Sequence, residues 1–228
     1  MKPSVSVIIP VFRESAFIGG ALNHLYALNG AECIECIVVD GCPYGSTLSA
    51  VADPRVLALR SPKGRGRQMN VGAAVARGAV YLFLHADTRL PADGLAAVLR
   101  ALDRPGVGGG AFQLGIDSRR RAYRIIEAMV SLRSRLLRMP YGDQAIFINS
   151  GLFHRLGGYP EIPLMEDVEL MLRLKKSKKR IVILKQRVKT SARRWEKEGI
   201  VFCTIRNWAL VTLYLLSVSP GRLVKHYR

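Results

Sequence analysis

An α/β fold with a mostly parallel central sheet is what the first hundred residues predict. Short apolar runs alternate there with segments of helical periodicity, and acids follow two of the runs. That alternation gives parallel strands covered by helices. Acids at the carboxyl ends of such strands sit where the connecting loops converge and ligands bind.

The elements follow in order. Residues 5–10, Val-Ser-Val-Ile-Ile-Pro, are an apolar run closed by proline and read as a buried strand. Ser15 is placed to cap the next helix, in which Ile18, Ala21, Leu22 and Leu25 fall at i, i+3, i+4 and i+7. Residues 36–39 are a second buried strand with Asp40 at its carboxyl end, and Ser46 or Thr47 can start a short helix. Residues 56–59 are a third strand. Met69, Gly72, Ala73 and Ala76 then make a helical face of small residues. Residues 80–84 are a fourth strand, followed by Asp87, and Leu95, Val98, Leu99 and Leu102 form another helical stripe.

The second half reads differently. Residues 110–116 alternate and suit an edge or mixed strand. Residues 123–137 are helical, 145–148 a strand, 166–176 a helix and 180–184 a last strand. A long apolar helix, 200–218, closes the chain and is stopped near Pro220. The expected division is a main domain, 1–198, and a C-terminal apolar helix with a basic tail, 199–228.

Composition narrows the classes. The chain has 228 residues, 49% of them hydrophobic, with 21 glycines and 11 prolines. That predicts a packed core and argues against general disorder. Four cysteines, at 33, 36, 42 and 203, are too few for a disulfide scaffold. Cys33 and Cys36 form a lone C-x-x-C with no second pair or histidine at zinc spacing, and read as ordinary residues entering a strand. The chain runs into its first strand pattern without a signal peptide, so a reducing cytoplasm is the expected location. Residues 207–219 are uncharged but too short to cross a bilayer, and Arg206 interrupts the longer stretch 200–219.

The formal charge is +18 and unevenly placed. Residues 173–197 hold twelve Lys/Arg against Glu196, and residues 119–138 hold seven Arg against Glu127. Such a field attracts polyanions: nucleic acid, an anionic membrane face or phosphorylated substrates. Nucleic acid fits poorly, because 173–197 contain a single aromatic, Trp195, and no helix-turn-helix or RNA-recognition signature appears. A solvated basic surface stays open. So does peripheral membrane binding, in which Trp208, Leu210, Leu213, Tyr214, Leu215 and Leu216 seat the last helix on an anionic leaflet. The other readings of that helix are packing on its own domain or on a second subunit, as in a homodimer.

No glycine loop for a nucleotide is present. The turn after the first strand, 10–15, has no glycine. Gly64 and Gly66 come later, with Met69 where a third glycine would stand. The loops after the first, second and fourth strands instead offer Glu14, Asp40 and Asp87. Carboxylates suit ribose hydroxyls, the N–H of a base, and Mg²⁺ or Mn²⁺. Asp87 could equally cap the turn before Pro91.

The chain resembles glycosyltransferase family 2, with its GT-A fold. The resemblance lies in Val-Ser-Val-Ile-Ile-Pro-Val-Phe-Arg-Glu at 5–14, Val-Val-Asp-Gly at 38–41 and Gly-Arg-Gly-Arg-Gln-Met-Asn-Val-Gly-Ala at 64–73. It continues through Phe-Leu-His-Ala-Asp-Thr at 83–88, Gly-Gly-Tyr at 157–159 and Glu166-Asp167. Order and spacing match over residues 4–197. The wording of 64–70 and 84–88 is similar to a bacterial subgroup associated with arsenosugar and related biosynthesis clusters.

The resemblance implies an inverting, metal-dependent transfer of a sugar, hexosyl in type, from a nucleoside-diphosphate donor to an acceptor hydroxyl. It implies that Pro10, Val11, Glu14 and Asp40 line the nucleoside pocket and that Arg67 reaches the diphosphate. Asp87 is then the metal-binding acid of a degenerate DxD motif. His85 stands where its first acid belongs, and Ala86 between them. Asp167 matches the catalytic base, with Glu166 as fallback. Chemistry asks for such a group, since an acceptor hydroxyl needs a positioned carboxylate to take its proton. Both acids also suit the start of a helix. Ala192, Arg193, Arg194 and Trp195 resemble a loose arginine–tryptophan motif, its usual glutamine absent; an arginine can clamp diphosphate and Trp195 stack on a sugar. The segment 42–46 lacks the serine and second acid usual after the second strand. That departure and His85 leave a non-catalytic nucleotide-binding scaffold as the alternative.

Overall fold

The computed structural model describes residues 3–227. Residues 1 and 2 of the expected main domain and residue 228 of the tail lie outside the described residues. The sheet grows from β1 (Val5–Val11), which pairs in parallel with β2 (Ile34–Asp40) on one side and β4 (Val80–Phe83) on the other. Beyond β2 lies β3 (Val56–Arg60), also parallel. Beyond β4 come β8 (Phe147–Asn149), β6 (Val107–Gln113) and β9 (Arg180–Arg187), giving the order β3-β2-β1-β4-β8-β6-β9. Only β8 runs against its neighbours.

Strand side chains alternate between faces, and β1 shows why both faces are apolar. Val7 and Ile9 enter a core with α1 (Ser15–Tyr26) and α3 (Gly94–Leu102). Ile8 enters the opposite core with α2 (Arg65–Val75), α5 (Ser150–Arg155) and α6 (Glu166–Lys176). Each such fully buried Ile or Leu stabilises the fold by on the order of 2 kcal/mol. The expected stripe of α1 is the observed one: Ile18, Ala21, Leu22 and Leu25 are buried. In α3, Leu99 is instead exposed, and Ala97 and Ala101 share the buried face with Leu95 and Val98. Ser15 does not cap α1. Glu14 holds the N-cap position, without a side-chain capping bond, because its carboxylate is drawn to Arg193.

The expected strand at 110–116 is two strands. β6 is fully buried inside the sheet, not at an edge. A Cβ at Gly110 would lie 2.0 Å from the Val182 carbonyl oxygen, so the glycine run is what lets β9 approach. The chain then breaks, and β7 (Ile116–Asp117) joins a second, three-stranded sheet with β10 (Lys189–Ser191) and β5 (Thr88–Arg89) in the order β5-β10-β7. Two- and three-residue strands carry too little periodicity to be read from sequence.

Two further helices complete the described chain before its tail: α4 (Arg121–Leu137) and α7 (Arg193–Glu198). The C-terminal helix α8 (Ile200–Leu215) ends three residues before its expected limit, and Ser217 takes a left-handed φ of 69°. A last turn, α9 (Pro220–Leu223), follows. Leu210 and Leu223 anchor this segment in the α2–α6 core. Tyr214 hydrogen-bonds to Glu169 of α6 at 2.7 Å. Of the six residues expected to meet a membrane, Leu210 is thus buried and Tyr214 is tied inward. No helix among the described residues is long and apolar enough to cross a membrane.

Candidate active site

A cavity of about 520 Å³ opens beside the carboxyl ends of β1 and β4. The loops after those strands contribute Glu14, His85 and Asp87, and the start of α6 contributes Glu166 and Asp167. Arg65 and Met69 come from α2, Tyr141 and Asp143 from the turn before β8, and Arg193, Arg194 and Trp195 from α7. Residues far apart in sequence meet because the small sheet brings β10 beside β5. The Ser191 amide donates to the Asp87 carbonyl at 3.1 Å, and Arg193 follows two residues later. Its guanidinium binds both Glu14 oxygens, at 2.6 and 2.8 Å, and lies 3.1 Å from Asp87 Oδ2.

Helix α2 holds the opposite wall. Gln68 donates to the carbonyls of Val11 and Val39 at 2.7 and 2.8 Å, tying together the ends of β1 and β2. Asn70 pairs with both the amide and the carbonyl of Tyr159, at 2.9 and 2.8 Å. Gly66 touches the same loop: a Cβ there would stand 2.4 Å from the Pro160 carbonyl oxygen. These contacts fix the chain that leads into Glu166 and Asp167.

Asp167 accepts hydrogen bonds from the amides of Gly142 and Val168, at 2.7 and 2.8 Å. A Cβ on Gly142 would meet His85 Nε2 at 3.2 Å and Asp167 Oδ2 at 3.6 Å, so both groups lie close against this glycine. Glu166 is buried, and desolvation followed by the charge of Asp167 pushes it up to about 7. Desolvation also pushes Asp143 up to about 6, with the charges of Asp167 and Asp87 adding to it against Arg133. Asp143 Oδ1 is inaccessible and makes no hydrogen bond among the described residues. His85 is pushed down to about 3 by desolvation and then by Arg65, Arg193 and Arg194, so its imidazole is neutral at pH 7.

The remaining expected residues divide. Asp40 is fully buried and does not line the cavity. Its two oxygens accept from the amides of Cys42 and Thr47 at 2.8 and 2.9 Å, and the Thr47 hydroxyl accepts from the Glu14 amide at 3.0 Å. Asp40 therefore braces the loop that carries Glu14. Pro10 and Val11 stand beside it at the end of β1, and Val11 and Ala86 are buried. Arg67 turns outward to Glu161 at 2.8 Å; the arginine of that segment at the cavity is Arg65. Trp195 lines the cavity and stacks edge-on against Tyr123, centroids 6.2 Å apart. Arg194 donates to the phenol of Tyr227, from the far end of the chain.

A divalent metal is one group the resemblance implies. Asp87 suits it: among the described residues its side-chain oxygens meet only Thr88 Oγ1, at 3.4 Å, and Arg193. No set of three or more His, Cys, Asp or Glu residues is gathered to hold a metal among the described residues. These donors fit an ion that keeps much of its water and is completed by phosphate oxygens.

Residues 6–158 match glycosyl transferase family 2. Among curated proteins, the chain is 29% identical over 142 residues to the succinoglycan biosynthesis protein ExoO of Rhizobium meliloti, covering 60% of this chain and 37% of that one. The chain thus spans little more than a third of that relative's length. Among solved structures it is similar to the mannosyltransferase PcManGT from Pyrobaculum calidifontis, in complex with GDP-Man and Mn²⁺ (TM-score 0.66, 22% identity, 83% of this chain and 57% of that one). It is also similar to residues 1–349 of S. aureus TarS in complex with UDP-GlcNAc (TM-score 0.66, 20% identity, 84% and 58%). These likenesses establish the fold as GT-A, with its mostly parallel sheet between helices. The match over residues 6–158 covers well over half of the sequence, and the chain belongs to glycosyl transferase family 2.

Proposed function

We propose that the protein transfers a hexosyl group from a nucleoside-diphosphate sugar to an acceptor hydroxyl, with inversion at the anomeric carbon. The observation that carries this reading is one cavity holding Asp87 and Asp167 together with Arg65, Arg193 and Arg194. It supplies an acid for a metal, a base for an acceptor and cations for a leaving diphosphate. The structural relatives named with GDP-Man and UDP-GlcNAc support a donor of this kind. The wording of residues 64–70 and 84–88 supports the arsenosugar-associated subgroup.

In this reading Asp167 takes the acceptor proton. Its oxygens are held by the Gly142 and Val168 amides, which fix its direction. Glu166 serves less well, because at about 7 it keeps much of its own proton at neutral pH. The freed acceptor oxygen bonds to the anomeric carbon as the bond to the diphosphate oxygen breaks, and a single displacement inverts that centre. Arg65, Arg193 and Arg194 meet the negative charge that develops on the leaving group. Asp87, with neutral His85 beside it, would hold Mg²⁺ or Mn²⁺, which would supply Lewis-acid stabilisation of that diphosphate when bound. Pro10, Val11 and the loop braced by Asp40 form the wall for the nucleoside, Ala86 backs the strand end, Trp195 offers a face to a sugar, and Arg67 supports α2 from outside.

A donor screen scored by released nucleoside diphosphate tests this. Turnover with at least one donor is expected. Asp167→Asn should lower it by roughly 10²–10⁴-fold while leaving calorimetric binding of the diphosphate with Mn²⁺ intact, and Asp87→Ala should weaken that binding. No heat with either uridine or guanosine diphosphate would favour the scaffold.

A further inference from the structure

Helix α4 buries one side only. Tyr123, Ile126, Glu127, Ser131 and Ser134 face the protein. On the opposite side Ile125, Met129, Leu132 and Leu136 are 64%, 38%, 60% and 71% exposed. Their spacing of i, i+4, i+7 and i+11 makes them a single stripe. Arginines edge it. Arg119, Arg120, Arg121 and Arg135 are exposed and make no ion pair among the described residues. The one acid of this segment, Glu127, is buried and already bridged by Arg124 and Arg187, at 3.0 and 3.3 Å. The stripe therefore combines bare hydrocarbon with uncompensated positive charge.

A second uncovered face lies on α8. In α8 only Cys203 and Leu210 are buried, while Val201, Phe202, Ile205, Trp208, Leu213 and Leu215 are exposed. Its first residue, Ile200, packs with Trp195 and Val130 on the buried cluster that holds Tyr123 and Ile126, on the inner side of α4. Two helices thus leave apolar faces open, more than scattered surface hydrophobics require.

The chemistry selects one occupant. A nucleic acid would use the arginines and leave the leucines in water. A second copy seated stripe on stripe would bring Arg121 and Arg135 toward the arginines of the other copy, a like-charge contact that opposes association. A lipid surface takes both features: hydrocarbon enters below the headgroups, and guanidinium groups meet their phosphates. We propose that α4, with the exposed face of α8, seats the protein on the surface of an anionic lipid bilayer. The proposal does not depend on the catalytic reading. It has one consequence for the cavity: α8 lines it through Asn207, Leu210 and Val211, so the bilayer lies about one helix diameter, ~10 Å, from the cavity.

The full chain should co-sediment with vesicles of phosphatidylcholine mixed with phosphatidylglycerol, much less with phosphatidylcholine alone, and release as salt is raised. Leu132→Glu with Leu136→Glu, and separately Phe202→Glu with Ile205→Glu, should each weaken that partitioning by at least about tenfold. All four positions are exposed, so thermal melting should stay near that of the parent. Undiminished vesicle binding by either double variant overturns the two-helix seat. So does equal binding to neutral vesicles. A lipid-free dimer split by the α4 variant, or binding of a random oligonucleotide without vesicle binding, assigns the face to a second copy or to nucleic acid and also overturns it.

Discussion

Arg193 grips Glu14 across the mouth of the cavity, its guanidinium donating to both carboxylate oxygens at 2.6 and 2.8 Å. The same Nη2 atom lies 3.1 Å from Asp87. One cation thus occupies two acids that a metal and a nucleotide would otherwise engage. Arg193→Ala should therefore act in opposite directions on two ligands. Mn²⁺ alone should bind several-fold tighter, since a competing charge is gone. A nucleoside diphosphate should bind roughly tenfold weaker, since a charge-assisted contact is lost. Calorimetry with each ligand separates the effects. Weaker Mn²⁺ binding would mean that Arg193 orients Asp87 instead of competing for it.

Gly66 sets a contest between two effects of known size. Alanine raises intrinsic helix stability over glycine by about 1 kcal/mol. Its Cβ, however, would lie 2.4 Å from the Pro160 carbonyl oxygen, a backbone atom of the loop leading to Glu166. Overpacking of this kind costs about 1–3 kcal/mol. Gly66→Ala should then lower the melting temperature and, by moving Glu166 and Asp167, lower kcat as well. A variant with unchanged melting and kcat would show that the loop yields freely.

The contrast between Ile18, whose burial follows from spacing, and Arg67, whose direction does not, shows where sequence reading succeeds. The long elements were legible because burial on two faces imposes apolar runs and stripes: the burial of Ile18, Leu22 and Leu25 follows from spacing alone. Glu14 and Asp87 stand at the ends of such elements, His85, Glu166 and Asp167 entered through the family resemblance, and the structure gathers all five at one cavity. Side-chain direction was not legible. Arg65 and Arg67 are near-identical in sequence context, yet one faces the cavity and the other meets Glu161. Asp40 looked like a ligand for the same reason, but its neighbours' amides take both of its oxygens. Asp143 and Tyr227 reach the cavity from a short turn and a chain end, where no periodic signal exists.

Glu166 makes stability depend on pH in a direction that can be worked out. Its ordinary value is 4.5, and burial raises it to about 7 in the folded protein. Below about pH 4.5 it is protonated in both states and carries no penalty. As pH rises toward 7, the unfolded chain ionises while the folded one holds its proton, so stability falls and then levels off. Glu166→Gln removes this loss. Its advantage over the parent should be nearly absent near pH 4 and on the order of 3 kcal/mol near pH 8. Urea melts of both proteins across that range provide the comparison, and a constant difference would contradict it.

Asp143 shares the cavity with the proposed base and ionises in an unusual range, about 6. Its Oδ1 is buried without a hydrogen-bond partner among the described residues, and burial favours the protonated form against the pull of Arg133. When it does ionise, it adds a negative charge near Asp167, and a carboxylate beside a negative charge is a stronger proton acceptor. Turnover at saturating donor should accordingly rise as pH passes through about 6. Asp143→Asn keeps the shape and removes the charge, so the rise near that pH should vanish while donor binding persists. The pH dependence of kcat for parent and variant decides this. If the inflection survives in Asp143→Asn, another group sets it, and the turn before β8 serves only to present the Gly142 amide to Asp167.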